Sequence, residues 1–444
     1  ACETGNREAV LKICVIGLGY VGLPLAVVLS RHYLVIGYDV DGGRLAELRQ
    51  GHDHTNEVSS SDLDPCAVEF SDDPGVLAGQ DVYIVTVPTP VNEASEPDLS
   101  ALRAACQTVG NVMAKGAVVV FESTVYPGVT EEVCGTELAT ASGLVCGRDF
   151  FLGYSPERVN PGDREHRVDE ITKIVAGQTP EVTAKLEEIY GNVTRGGVFA
   201  ARNIKTAEAA KVIENAQRDI NIAFINEVAQ IFQNLGLSVQ DVLDVAMTKW
   251  NFLPFKPGLV GGHCIGVDPF YLAHCAKEAG HNPEIILAGR RINDGMGRFI
   301  AKRINSVLRQ EDKEDKDSKD KTARILVFGL TFKENVPDLR NSKVIDVIRH
   351  LRDLGHDVTV HDPLADATEA KKLYGVDLCA EEDISKMRGD GAYDCVVGAV
   401  AHDLYGNFTT ESFARMVASG GLVADIKGLW RHINLPEGVR RWNL

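Results

Sequence analysis

Leu11-Lys12-Ile13-Cys14-Val15-Ile16-Gly17-Leu18-Gly19-Tyr20-Val21-Gly22-Leu23-Pro24 sets a short, mostly apolar run against a glycine-punctuated turn. The run has the length and β-branched content of a buried strand, and residues 23–30 continue with a helical pattern. Three glycines at this spacing between a strand and a helix form a dinucleotide fingerprint. Gly17 permits the tight turn, Gly19 lets the backbone approach a pyrophosphate, and Gly22 allows close helix–strand packing. A second apolar run, Leu34–Tyr38, ends in Asp39, 22 residues after Gly17, where a carboxylate accepts bonds from ribose hydroxyls. An acid there repels a 2′-phosphate, which favours NAD over NADP. Arg44 lies near enough to reach the adenosine side.

The alternation of strands and helices continues downstream. Residues 81–87 form an apolar strand ending in Pro88-Thr89-Pro90, residues 99–113 have helical period, and residues 117–121 form another buried strand. That strand runs into Glu122-Ser123-Thr124-Val125-Tyr126-Pro127-Gly128, and residues 150–154 lead into Ser155-Pro156-Glu157-Arg158. Such tips lie at the carboxyl ends of parallel strands, where open α/β sheets bind ligands. Tyr20, Val21, Pro88, Thr89 and Thr124 therefore join the expected cofactor set, and Glu157 is a candidate general base.

Residues 201–236 contain no proline and no glycine before the last position, and predict one helix of about 36 residues, roughly 54 Å long. Its apolar positions cover more than one face, which implies burial between domains and against a second subunit. Glu208, Lys211, Asn215 and Asp219 interrupt that surface. Lys211 and Asn215, four residues apart, share one face and are suited to stabilise a developing oxyanion; a helix-surface ion network is the plainer alternative.

The stretch Phe255-Lys256-Pro257-Gly258-Leu259-Val260-Gly261-Gly262-His263-Cys264-Ile265-Gly266-Val267-Asp268 packs glycines around a cysteine. Glycines here let backbone approach a ligand closely. A helix starting near Asp268 would favour a thiolate at Cys264, making it a candidate covalent nucleophile. Phe255, Gly258 and Gly261 are expected along the substrate. Adjacent His263 and Cys264, or His274 and Cys275, are poorly placed to chelate one ion, so no metal is expected.

With 444 residues, two or three domains are expected. The net charge of -17 argues against nucleic acid as a partner. Ten scattered cysteines without C-x-x-C spacing suggest reduced thiols and a cytoplasmic protein. No opening segment reads as a signal peptide and no run reaches the ~18 apolar residues of a membrane span. Residues 310–322 are charge-dense and read as a linker. Beyond it, residues 323–330, a helix over 342–354, and strands at 357–361, 393–398 and 421–426 predict a second nucleotide-type fold. Lys333 and Arg340 follow its first strand and suit phosphate oxygens. The expected architecture is α/β, two Rossmann-like doubly wound domains joined by a long central helix. Its domains are 1–200, a dinucleotide domain; 201–309, a central helical dimerisation domain carrying Cys264; the linker; and 323–444.

Six motifs in order are together similar to the UDP-glucose/GDP-mannose dehydrogenase family. They are G-L-G-Y-V-G-L-P at 17–24, V-P-T-P at 87–90, E-S-T-V-Y-P-G at 122–128, Y-S-P-E-R at 154–158, A-A-K-V-I-E-N at 209–215 and G-G-H-C-I-G-V-D-P at 261–269. The longer variants around 154, 249 and 328 resemble the branch acting on UDP-N-acetylhexosamines for capsular or O-antigen polysaccharides. The resemblance implies oxidation of a primary alcohol to a carboxylate with two NAD in turn, in a homodimer formed through the central helix. Cys264 then matches the thiol that traps the aldehyde. Glu157 and Thr124 match thioester hydrolysis and water placement, Lys211 and Asn215 the oxyanion donors, and Asp268 a proton-transfer carboxylate. Glu157, Arg158, Lys333 and Arg340 match substrate contacts. UDP-N-acetylglucosamine or its galacto epimer is the expected substrate, with UDP-ManNAc or UDP-glucose as alternatives. A two-electron hydroxyacid-type dehydrogenase and a non-catalytic nucleotide-sugar sensor are the competing classes.

Overall fold

The computed structural model describes residues 11–63, 66–92, 94–159, 167–262, 265–309, 322–380 and 393–444. They pack as two units, residues 1–215 with 270–282 and residues 216–269 with 283–444.

In the first unit the described residues form an eight-stranded sheet. Its strands are β1 (Lys12–Ile16), β2 (Leu34–Tyr38), β3 (Val68–Ser71), β4 (Val82–Val85), β5 (Val118–Phe121), β6 (Phe151–Tyr154), β7 (Lys173–Gly177) and β8 (Val198–Ala200). The order is β3-β2-β1-β4-β5-β6-β7-β8, parallel except where β7 runs antiparallel to β6. The period-two geometry of a strand sends Ile13 and Val15 of β1 into one core and Cys14 and Ile16 into another. Both faces are thus covered by helices, which is why the parallel strands read as continuous apolar runs rather than alternating ones. The strand order reverses between β1 and β4, the place where such sheets open a crevice at their carboxyl ends.

In the second unit the strands are β9 (Arg324–Phe328), β10 (Asp357–His361), β11 (Tyr393–Gly398), β12 (Val417–Asp425) and β13 (Arg440–Asn443). They form a parallel sheet in the order β10-β9-β11-β12-β13. Ile325 and Val327 enter one core and Leu326 and Phe328 the other, repeating the two-faced burial of β1. The two expected nucleotide-type folds are present, joined by the long helix Ile204–Leu235.

That helix has 32 residues, about 48 Å, rather than 36. It starts later than expected because the Asn203 carboxamide accepts the Thr206 N–H at 2.8 Å, a cap that ends the extended segment before it. It stops at Gly236, whose φ of 71° no helical residue adopts. Its apolar surface is not fully covered: Phe224, Ile231 and Leu235, at spacings of seven and four, lie 58%, 49% and 64% exposed.

Candidate active site

The fingerprint loop follows from local sterics. Gly17 sits at φ 92°, a conformation that favours glycine, and its N–H donates to Tyr38 O at 2.9 Å. A Cβ on Gly22 would stand 1.9 Å from Gly17 O and 2.4 Å from Thr86 Oγ1, so only glycine lets the helix meet the strand. Nothing lies within 4 Å of the Cβ position of Gly19, which leaves its backbone open to a pyrophosphate. Asp39 accepts Leu18 N–H at 2.7 Å on one oxygen and Asp41 N–H at 2.9 Å on the other, leaving lone pairs for ribose hydroxyls. These residues fit a dinucleotide. Arg44, expected to reach outward, is buried: its Nε donates to Leu18 O at 3.0 Å and its guanidinium pairs with Asp53 at 2.7 Å. It braces the loop from behind. Tyr20 and Val21 line a cleft with Glu57, Asp62, Glu157 and Arg167.

The tips after β4 and β5 are joined, because Thr89 Oγ1 donates to Thr124 O at 2.7 Å. The Tyr271 hydroxyl donates to Thr89 O at 3.0 Å and lies 3.2 Å from Pro90 O, holding the Pro88–Pro90 turn. Glu208 of the central helix is fully buried and accepts Gly128 N–H at 2.6 Å and Thr130 N–H at 2.9 Å. It therefore anchors the far end of the Thr124 loop, and burial pushes its carboxyl above the usual carboxylate range. Lys211 and Asn215 are buried on the same stripe of the helix.

Glu157 is 7% exposed and receives the N–H of Val159. Its carboxylate lies 3.8 Å from Lys173 Nζ, and Lys173 pairs with Glu122 at 2.8 Å. Glu122 also accepts the Tyr190 hydroxyl at 2.5 Å. Burial works against the Lys173 ammonium, yet Glu122 and Glu157 beside it raise it above the ordinary lysine range. Burial raises Glu122, and burial together with Glu122 raises the Tyr190 phenol well above its ordinary value. The sequence reading missed this cluster. The one available signal was a lysine inside the apolar run of β7, a strand that it did not recognise. Arg158 is half-exposed and pairs with Glu214, its Nε donating at 3.2 Å.

In the second unit the glycine-rich stretch is held by an amide clamp. Asn226 Oδ1 accepts Gly258 N–H at 2.8 Å and its Nδ2 donates to Gly258 O at 3.0 Å. The same Nδ2 donates to Asn293, whose own amide donates to Asp219 at 2.7 Å, and Asp219 pairs with Arg290 at 2.6 Å. The close approach signalled by Gly261 and Gly262 is to the chain itself. A Cβ on Gly261 would stand 2.4 Å from Asn341 O, and one on Gly262 2.6 Å from the Phe332 ring. Asn341 Nδ2 donates to Gly262 O at 3.0 Å, so this stretch is docked on the loop that carries Lys333 and Arg340. Arg340 makes a two-pronged pair with Asp338, at 3.0 and 2.6 Å. Asp268 is buried and opens the helix Asp268–Glu278, and Phe255 is half-buried. His263 and Cys264 lie outside the described residues, as do residues 310–321 of the expected linker. Among the described residues no group of three His, Cys, Asp or Glu could hold a metal ion, and no helix is long and apolar enough to cross a membrane.

A fingerprint turn on one sheet, a second nucleotide-type sheet with a different loop, and buried acid, lysine and amide side chains define a nucleotide-dependent dehydrogenase. Models of the UDP-glucose/GDP-mannose dehydrogenase family match the chain three times: the NAD binding domain over residues 11–194, the central domain over 205–295 and the UDP binding domain over 326–432. Protein CapL of Staphylococcus aureus is 48% identical over 433 residues, covering 98% of this chain and 99% of that protein. A UDP-N-acetyl-D-glucosamine 6-dehydrogenase of Pseudomonas aeruginosa is 48% identical, covering 94% and 97%. The solved structure of a UDP-D-ManNAc dehydrogenase from Pyrococcus horikoshii superposes with a TM-score of 0.85 at 30% identity, covering 97% and 99%. The chain belongs to the UDP-glucose/GDP-mannose dehydrogenase family, is an NAD-dependent oxidoreductase, and takes a UDP-sugar as substrate.

Proposed function

We propose that the protein oxidises carbon 6 of UDP-N-acetylglucosamine to the uronic acid through a covalent adduct on Cys264. The observation that carries the substrate is the graded similarity. UDP-N-acetyl-D-glucosamine 6-dehydrogenases are 48% and 43% identical, whereas a UDP-N-acetyl-D-mannosamine dehydrogenase is 34% identical. The galacto epimer is the alternative. A two-electron hydroxyacid-type enzyme would leave the UDP binding domain without a role.

Gly17, Gly19, Gly22 and Asp39 would hold NAD, with Thr89 and Thr124 as further cofactor residues. Bound NAD supplies the hydride acceptor, twice per sugar. Lys211 and Asn215 donate to the sugar oxygen as it gains negative charge. Loss of the first hydride from carbon 6, with the hydroxyl proton released to water, leaves an aldehyde; the Cys264 thiolate adds to its carbon, forming a C–S bond while the carbonyl electron pair moves to oxygen. After the second hydride leaves, the carbon is a thioester. Thr124 places a water, Glu157 takes its proton, and the C–S bond breaks to return the thiolate and free the acid. Asp268 serves proton transfer at the thiol, and Phe255, Gly258, Gly261, Arg158, Lys333 and Arg340 line the nucleotide sugar.

The segment 1–200 serves NAD, 201–309 carries Cys264 and the dimer contact, and 323–444 serves the UDP-sugar. The exposed stripe Phe224, Ile231 and Leu235 supports a homodimer through the central helix, since contiguous apolar surface favours association. We place the enzyme in the cytoplasm, in keeping with the free thiols of Cys14, Cys66, Cys106, Cys134, Cys146, Cys275, Cys379 and Cys395. The acid then serves surface polysaccharide synthesis. Counting NADH against sugar settles the chemistry: two per UDP-N-acetylglucosamine for the wild type, and a Cys264→Ser enzyme that stalls before releasing acid. One NADH per turnover with free aldehyde would overturn the proposal.

A further inference from the structure

The two sheets carry the same turn put to different uses. In the second unit Gly329 has φ 92° and its N–H donates to His361 O at 2.8 Å, matching Gly17 and Tyr38 O in the first. Asp362 follows β10 as Asp39 follows β2, and its Oδ2 accepts Leu330 N–H at 2.6 Å and Thr331 N–H at 2.9 Å. Asp39 is partly exposed and holds one backbone N–H on each oxygen. Asp362 is buried, with Leu364 N–H on Oδ1 at 2.9 Å and His402 Nε2 3.2 Å from Oδ2. The acid that can meet a ribose in one domain is closed over by a histidine in the other.

That histidine has one tautomer that satisfies its surroundings. Nδ1 accepts Asn335 N–H at 2.9 Å, so the ring proton sits on Nε2, which faces Asp362 Oδ2 and Thr331 Oγ1, each at 3.2 Å. The Thr331 hydroxyl in turn donates to Lys333 O at 3.0 Å. Asn335 is left-handed at φ 60°, and its Oδ1 accepts Asp403 N–H at 3.0 Å, next to His402 in the chain. The arc from Gly329 to Asn335 is therefore held at its start by His361 O, and at Thr331 and Asn335 by one ring 1% exposed, with Lys333 between those two points.

We propose that His402 is a positioning residue for the UDP-sugar: it fixes the 329–335 arc so that Lys333 is presented to the nucleotide before binding. The proposal rests on the reading of Lys333 as a nucleotide contact. Pre-ordering of this kind lowers the entropy lost on association, so its loss raises the nucleotide-sugar KM and leaves the chemical step alone.

Asparagine and glutamine separate the two ring nitrogens. An asparagine carboxamide reaches about as far as Nδ1 and can still accept Asn335 N–H; a glutamine reaches the Nε2 position and cannot serve that N–H. Full-length His402→Asn, His402→Gln, His402→Leu and Lys333→Met are compared by calorimetric titration with UDP and by steady-state kinetics, after thermal melts establish that each folds. We expect His402→Gln and His402→Leu to weaken UDP and raise the nucleotide-sugar KM about ten- to hundredfold, the consequence of an unmet backbone donor. We expect kcat and the NAD KM to stay within about threefold, and His402→Asn to recover most of the affinity. If Lys333→Met weakens UDP but no His402 variant does, or if asparagine is as poor as leucine, the inference about His402 fails while the role of Lys333 stands. If Lys333→Met binds UDP as the wild type does, the reading of Lys333 falls and this inference with it. A His402→Leu chain that does not fold leaves the asparagine and glutamine pair to decide.

Discussion

Replacing Lys173 with methionine is the sharpest perturbation of the first unit. Lys173 and Glu122 are 0% and 1% exposed and 2.8 Å apart, and Glu157 lies 3.8 Å from the same ammonium. Methionine fills similar volume, so little cavity forms, but Glu122 is left buried with, among the described residues, the Tyr190 hydroxyl on its other oxygen. Breaking a buried pair from one side costs about 3–5 kcal/mol. At about 2–4 °C per kcal/mol for a unit of this size, the melting temperature falls by roughly 6–20 °C. The deficit depends on pH with a definite sign. Burial already holds Glu122 above its ordinary value of 4.5, and removing the ammonium raises it further. A carboxyl whose folded value exceeds its unfolded one stabilises the fold below the unfolded value and loses that contribution as pH rises through the folded one. Calorimetric melts should therefore show a larger deficit at pH 8 than at pH 5. Glu122→Gln in the Lys173→Met background removes the stranded charge and should recover most of the loss and abolish its pH dependence. A single variant within about 1 kcal/mol of wild type, or a deficit equal at both pH values, would refute the reasoning.

Two further outcomes follow from the cofactor turn and the helix. Asp39→Asn removes the charge that repels a 2′-phosphate and should narrow the NAD-over-NADP preference in kcat/KM by about tenfold, the effect of roughly 1.4 kcal/mol; an unchanged ratio would mean that Asp39 does not face the ribose. Phe224→Asp puts a charge in the exposed stripe of the central helix and should shift the species seen by analytical ultracentrifugation toward monomer.

The fold was legible where local chemistry decides it. The apolar runs of β1, β2, β4 and β5 and the Gly17–Gly22 turn need no partner to be read, because burial on both faces and steric demand are written in adjacent residues. Element ends were less legible: the Asn203 cap moved the helix start, and β12 begins at Val417 rather than near 421. The supporting polar groups were illegible for a different reason. Glu122 meets Lys173 across 51 residues and Tyr190 across 68, and Asn226 meets Gly258 across 32, so nothing in either neighbourhood announces the other. The glycines at 261 and 262 signalled close approach correctly but not to what.

The duplicated turn explains how one fold serves two ligands in one chain. An acid after the second strand is a consequence of the topology, since it caps the N–H groups of the preceding turn in both sheets. What differs is the coverage of its remaining acceptor sites. Beside Gly19, with no side chain, the turn stays open and Asp39 is free to meet hydroxyls. Where Thr331 stands two residues after Gly329, its N–H and His402 occupy the acid while its hydroxyl ties His402 to Lys333 O, and the loop becomes a rigid carrier for Lys333 instead of a cradle. The same fold thus carries two different turns: burial works against the Asp362 carboxylate, yet the His402 imidazole and the N–H groups of Leu330 and Thr331 hold it at about 2, well inside the ionised range at neutral pH.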